Sequence, residues 1–127
     1  MKNIRFLLCA WLLCVCSGGA GASPTKADRE IEALIAGLGT SGCEFERNGS
    51  WYDATKAQAH LQKKYAWLQK RGLVNSAEQF IERAASKSSI SGESYRVRCA
   101  DKPVTESGIW FRALLSRQRK QPDAPQP

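Results

Sequence analysis

Cys43-Glu44-Phe45-Glu46-Arg47-Asn48-Gly49-Ser50-Trp51-Tyr52-Asp53 is the stretch on which the architecture of this 127-residue chain turns. Residues 43–47 alternate apolar and charged side chains, the period of a half-buried strand. Asn48-Gly49 follows, and Ser50-Trp51-Tyr52 resumes an extended pattern. A two-residue type I′ turn needs positive φ at both central positions, which Asn-Gly supplies. The stretch therefore predicts a β-hairpin with a cysteine at its outer end. Asp53 then stands where an N-cap accepts the backbone donors of a following helix.

Working outward, Ile31, Leu34, Ile35 and Leu38 fall at i, i+3, i+4 and i+7, predicting an amphipathic helix over 26–38 with Gly39 as its terminator. Beyond Asp53, Ala54, Ala57, Leu61, Tyr65 and Leu68 step by three and four, predicting a helix over 54–71. Ser76 and Gln79 have capping-box spacing ahead of Phe80, Ile81 and Ala84, so a third helix is expected over 77–86. Residues 87–93 read as a serine-rich loop. Tyr95, Val97 and Cys99 then share one face of a strand. Ile109, Trp110, Ala113 and Leu114 can line one side of a last helix over 105–118, with Thr105 as its cap. Residues 119–127 carry three prolines and nothing apolar larger than alanine, the composition of a disordered tail. The order helix, hairpin, helix, helix, strand, helix predicts a single α+β domain over 23–118. A small antiparallel sheet, the hairpin plus one late strand, is covered by about four helices.

The first 22 residues have a different character. Lys2 and Arg5 precede the apolar run Phe6–Cys16, and small residues end at Ala20-Gly21-Ala22. This is the pattern of a secretory signal peptide cleaved after Ala22. A membrane anchor is the competing reading, but the run is little more than half of the roughly 20 residues that span a bilayer. A lipoprotein would use Cys14 or Cys16, which follow Leu13 and Val15 where a small residue belongs. The expected location is periplasmic or secreted, with no transmembrane segment after cleavage. Cleavage removes Lys2 and Arg5 and no acid, so the formal charge of +7 falls by two and the protein stays basic. It also removes Cys9, Cys14 and Cys16. Cys43 and Cys99 remain, and an exported protein with two cysteines usually joins them. The chain-entropy model assigns such a loop roughly 4 kcal/mol. The crosslink would set the late strand beside the hairpin.

Several pieces in order resemble the YfeK-like family of uncharacterised exported bacterial proteins. They are Cys43 to Gly49, His60-Leu61-Gln62-Lys63-Lys64-Tyr65, Ala77-Glu78-Gln79-Phe80-Ile81, Ser91 to Cys99, and Trp110. The resemblance covers most of residues 31–114 and implies export and the two-cysteine core. It implies no activity, cofactor or catalytic residue. Trp51-Tyr52 and the basic, proline-rich tail are local variation on it.

The mature chain has one histidine and two cysteines that would bond to each other, too few for a four-ligand zinc set, and no cofactor is expected. His60, the only imidazole, stands at the edge of the apolar stripe without a Gly-x-Ser-x-Gly elbow or a cysteine partner. Glu44 and Glu46 share a strand face and read as surface charge. The basic residues are more numerous. Lys56, Lys63, Lys64, Lys70 and Arg71 lie on the second helix, Arg96 and Arg98 on the late strand, and Arg117, Arg119 and Lys120 near the end. A solvated surface explains such charges, and attraction to anionic envelope material is the functional reading. Export argues against nucleic acid.

Arg47, Asn48, Trp51, His60, Lys63, Lys64 and Ser91 form the candidate binding set. The expectation is a non-enzymatic, envelope-associated module facing an anionic envelope component or a periplasmic protein. The alternative is a small hydrolase using His60, or an enzyme inhibitor inserting the Ser88–Ser94 loop.

Overall fold

The computed structural model describes residues 23–121. The expected signal peptide and residues 122–127 of the expected tail lie outside the described residues. The first helix, α1, runs Lys26–Gly39 and opens with a complete capping box: Thr25 Oγ1 accepts from the Asp28 N–H, and the Asp28 carboxylate accepts from the Thr25 N–H. Ile31, Leu34, Ile35 and Leu38 are buried as the periodicity requires. Gly39 is the last helical residue rather than the residue beyond, and Thr40 takes the C-cap.

The hairpin forms as read. Strands β1 (Glu44–Arg47) and β2 (Ser50–Tyr52) pair antiparallel, with Phe45 opposite Tyr52 and Arg47 opposite Ser50. Asn48 and Gly49 both have positive φ, 49° and 82°. Helix α2 (Ala54–Lys70) starts at Asp53, whose carboxylate accepts from the Lys56 N–H, and buries Ala57, Leu61, Tyr65 and Leu68.

The third helix differs from the regular one expected. It begins as α-helix over Ala77–Phe80 and widens to a π-helical turn over Ile81–Ala85; together these are α3. The wider turn buries Phe80, Ile81, Ala84 and Ala85 at once, and Ser86 Oγ donates to the Ile81 carbonyl, 2.6 Å away.

Strand β3 (Arg96–Arg98) lies antiparallel to β1, with Phe45 opposite Val97. Cys43 and Cys99, next along the same register, are joined in a disulfide across a sequence separation of 56. A short strand not expected from sequence, β4 (Thr105–Glu106), pairs with the other side of β3 and completes the order β2-β1-β3-β4. Thr105 is therefore a strand residue and not a helix cap. The Ser107 N–H donates to the Tyr95 carbonyl instead, at 2.8 Å.

Helix α4 runs Ser107–Lys120 and is rotated from the expected orientation. It buries Ser107, Gly108, Phe111 and Leu115, leaves Trp110 and Leu114 half-buried, and exposes Ile109 and Ala113. The rotation has a steric cause. A Cβ on Gly108 would come 2.8 Å from Ser86 Oγ, so the glycine lets α4 press against the end of α3 while Phe111 packs edge-on to Phe80. The helix also outlasts its expected end at 118. Arg119 reaches Glu30 of α1 and Glu78 of α3, which holds the last turn. Arg119 and Lys120 are thus helical, two residues past the expected helix end.

The sheet thus has an inner face, where Phe45, Tyr95 and Val97 meet the helices, and an outer face. On the outer face Glu46 pairs with Arg96, Glu44 pairs with Arg98, and the Arg98 guanidinium stacks over Trp51 at 4.1 Å.

Candidate functional site

Strand parity places Arg47 on the same face as Phe45, two residues on and beyond the edge of the core. Its guanidinium folds over α2 and donates to His60 Nδ1 at 2.7 Å. His60 precedes the core residue Leu61, and a step of four sets Lys64 beside it. From the opposite side comes Tyr95. Its ring is buried against Phe45, with centroids 4.9 Å apart, and its hydroxyl oxygen lies 3.1 Å from Lys64 Nζ and 3.4 Å from His60 Nε2.

The serine loop closes the remaining side. Ser88 Oγ accepts from the N–H groups of Ile90 and Ser91, and the Gly92 N–H returns to the Ser88 carbonyl. Ser91 Oγ donates to Asn48 Oδ1 at 2.7 Å, tying the loop to the hairpin tip. Lys64 Nζ also donates to the Lys87 carbonyl.

Donor inventory determines the proton positions. A guanidinium only donates, so His60 Nδ1 accepts and the ring proton resides on Nε2, directed at the Tyr95 oxygen. That oxygen already accepts from Lys64, so the Tyr95 hydroxyl proton is left to point elsewhere. Burial, then the charges of Arg47, Lys64 and Lys63, pushes His60 down to about 4, so it is neutral at pH 7. Burial and Arg47 lower Lys64 to about 8. Burial raises Tyr95, with Arg47 opposing.

Three adjoining cavities meet at His60. One of about 270 Å³ runs under the hairpin past Arg47, Tyr52 and Lys56. One of about 200 Å³ lies between the hairpin tip and the loop, beside Asn48, Ser88 and Tyr95. The third, about 380 Å³, extends along α2 past Lys63 and Lys64 to Trp67, Leu68 and Arg83. Among the described residues no carboxylate lines any of them, and none pairs with Arg47, Lys63 or Lys64.

Of the candidate set, the structure gathers Arg47, Asn48, His60, Lys63, Lys64 and Ser91 around this cleft. Trp51 is placed apart, on the outer face of the sheet. Lys56 and Arg83 line the cleft as well, whereas Arg96, Arg98 and Arg119 are paired with glutamates elsewhere, and Arg71 stacks over Trp67 at 4.0 Å. Sequence reasoning missed Trp67, whose signal was available as the i+7 partner of His60. Among the described residues His60 hydrogen-bonds only to Arg47 and Tyr95, so neither a carboxylate orients it nor does a serine or cysteine nucleophile touch it. No group of three or more His, Cys, Asp or Glu side chains among them could hold a metal ion. No helix among them is long and apolar enough to cross a membrane. The arrangement is a convergence of N–H and O–H donors with net positive charge, suited to an anionic oxygen group.

Comparison with known proteins gives a family. A family of unknown function, DUF5329, matches residues 25–119, most of the chain, and the protein belongs to it. An uncharacterized protein, YfeK, from Salmonella typhimurium is 35% identical over 69 residues, which are 54% of this chain and 56% of that one. The match thus spans about half the length of the curated relative. No solved structure matches the chain.

Proposed function

We propose that this member of the DUF5329 family is an exported, non-enzymatic binding module of the cell envelope that captures anionic oxygen groups in the cleft between α2, the hairpin tip and the serine loop. The observation that carries this reading is the convergence of Arg47, Lys64 and the Tyr95 hydroxyl on a half-buried histidine held neutral, with no carboxylate among the described residues to neutralise them. Partly buried cations are screened less by salt than surface ones, so the cleft is a stronger anion site than the paired arginines elsewhere. Each role is distinct. Arg47 and Lys64 supply charge, His60 positions the Arg47 guanidinium, Tyr95 offers a hydroxyl donor, and Ser91 with Asn48 holds the loop in place.

Export is supported by the Lys2-to-Ala22 pattern and by a disulfide, which persists in oxidising compartments. An exported protein meets phosphorylated and carboxylated envelope components rather than nucleic acid.

Titration calorimetry of the purified protein with methyl phosphate tests the reading. Saturable one-site binding is expected, weakened at least tenfold by Arg47→Gln and by Lys64→Gln, and unaffected by Lys70→Gln at the far end of α2. Binding that responds equally to all three substitutions would reduce the cleft to general surface charge. Cosedimentation with isolated envelope fractions, abolished by the same two substitutions, is expected to follow.

A further inference from the structure

The largest of the three cavities is chemically unlike the other two. Its far end is apolar: Leu68 forms part of its floor, 6% exposed, and Trp67 forms a wall although about half of the indole is in solvent. Here the Arg71 guanidinium stacks on it at 4.0 Å and also donates to the Trp67 carbonyl, so the ring is braced rather than loose. Around the apolar end stand Lys63, Lys64 and Arg83, all cationic. At about 380 Å³ the space falls within the size range of small-ligand sites, which combine an apolar wall with a few polar groups that fix orientation. It opens at Lys64 and His60 onto the donor cluster of Arg47 and Tyr95.

From this juxtaposition we infer that the ligand is an amphiphile, with one anionic head at Arg47, Lys64 and Tyr95 and a short alkyl or aryl portion lying along α2 against Trp67 and Leu68. The inference rests on the anion-binding reading above and adds the apolar half of the ligand. The charges decide the sign of the head: an amphiphilic cation would meet Lys63, Lys64, Arg47 and Arg83 with no compensating carboxylate among the described residues. The stems of the lysines line the route between the two ends, as long amphipathic side chains do.

The test is a homologous series, methyl, butyl, hexyl and octyl phosphate, titrated below aggregation, with hexyltrimethylammonium as the charge control. Affinity is expected to rise about fourfold per methylene until the cavity is filled, the increment for removing one CH₂ from water. Trp67→Ala is expected to flatten that rise while leaving methyl phosphate affinity unchanged, and Trp67→Phe to restore part of it. Arg47→Gln is expected to weaken every member by the same factor. If all chain lengths bind as methyl phosphate does, the amphiphile inference fails and the anion site stands. Should no member bind, methyl phosphate included, both fail. Equal binding of the ammonium compound would overturn the assignment of an anionic head.

Discussion

Arg47 and Trp51 show how a single residue's parity separates function from scaffold. Arg47 shares the face of Phe45 and so reaches His60, whereas Trp51 opposes Glu46 and so belongs to the outer face. Grouping them by closeness along the chain missed this, although the alternation that placed Phe45 in the core applies equally to both. His60 carries a prediction of its own. Its folded value near 4 lies below the ordinary 6.5, so between those limits the unfolded chain holds a proton the folded chain rejects. The stability this group contributes is therefore complete above pH 6.5 and declines as the pH falls toward 4. The thermal midpoint should drop over that window, and His60→Gln should flatten the drop. Lys64 behaves as a second reporter. With a value near 8, its affinity contribution fades as pH rises from 7 to 9, so sulfate, whose charge is constant there, should bind more weakly at pH 9. Lys64→Arg, which stays charged, should remove that dependence. Ser107 makes a third case: its hydroxyl is fully buried with no hydrogen-bond partner, so Ser107→Ala should leave the melting temperature unchanged or raise it.

The elements with local signals were legible, and those that depend on packing were not. The hairpin could be read because Asn48-Gly49 satisfies a backbone requirement, α1 from its apolar stripe alone, and α2 because its Asp53 cap and its apolar stripe agree. Strand β4 has two residues and exists only because β3 offers an edge, so no local pattern announces it. The rotation of α4 likewise depends on a contact between Gly108 and Ser86 that no periodicity encodes. The serine loop was legible as a loop, but its tie to Asn48 required the hairpin to be in place. The disulfide makes the element-scale prediction. It links the ends of β1 and β3 and closes a long loop, so a Cys43→Ala/Cys99→Ala variant should lose roughly 4 kcal/mol. At several degrees per kcal/mol for a domain this small, thermal unfolding should shift down by more than about 10 °C. A variant that melts within a degree or two of the parent would show the sheet to be held by packing alone.

At the scale of the whole molecule, three arginines are neutralised while a group of cations converges on one cleft. The sheet's outer face and the seam where Arg119 meets Glu30 and Glu78 neutralise their arginines, while among the described residues no carboxylate pairs with the cations of the cleft. Sequence composition shows only the sum of these regions, a formal +7. Separating them needs the sheet register and the approach of α4. Unpaired cations destabilise a folded state and an anion relieves them, so a bound anion should raise the melting temperature through linkage. A hundredfold excess over Kd is worth about 2.7 kcal/mol. Arg47→Gln should diminish that anion-induced rise.

Because His60 is the only histidine, its ring reports on the cleft without ambiguity. The most direct measurement is an NMR pH titration of that imidazole in the purified protein, with and without saturating methyl phosphate. A neutral Nε2–H tautomer titrating near 4 is expected in the free protein, with a rise of about one unit or more when the anion is bound. An imidazole titrating near 6.5 and unmoved by methyl phosphate would contradict the anion-binding reading of the cleft.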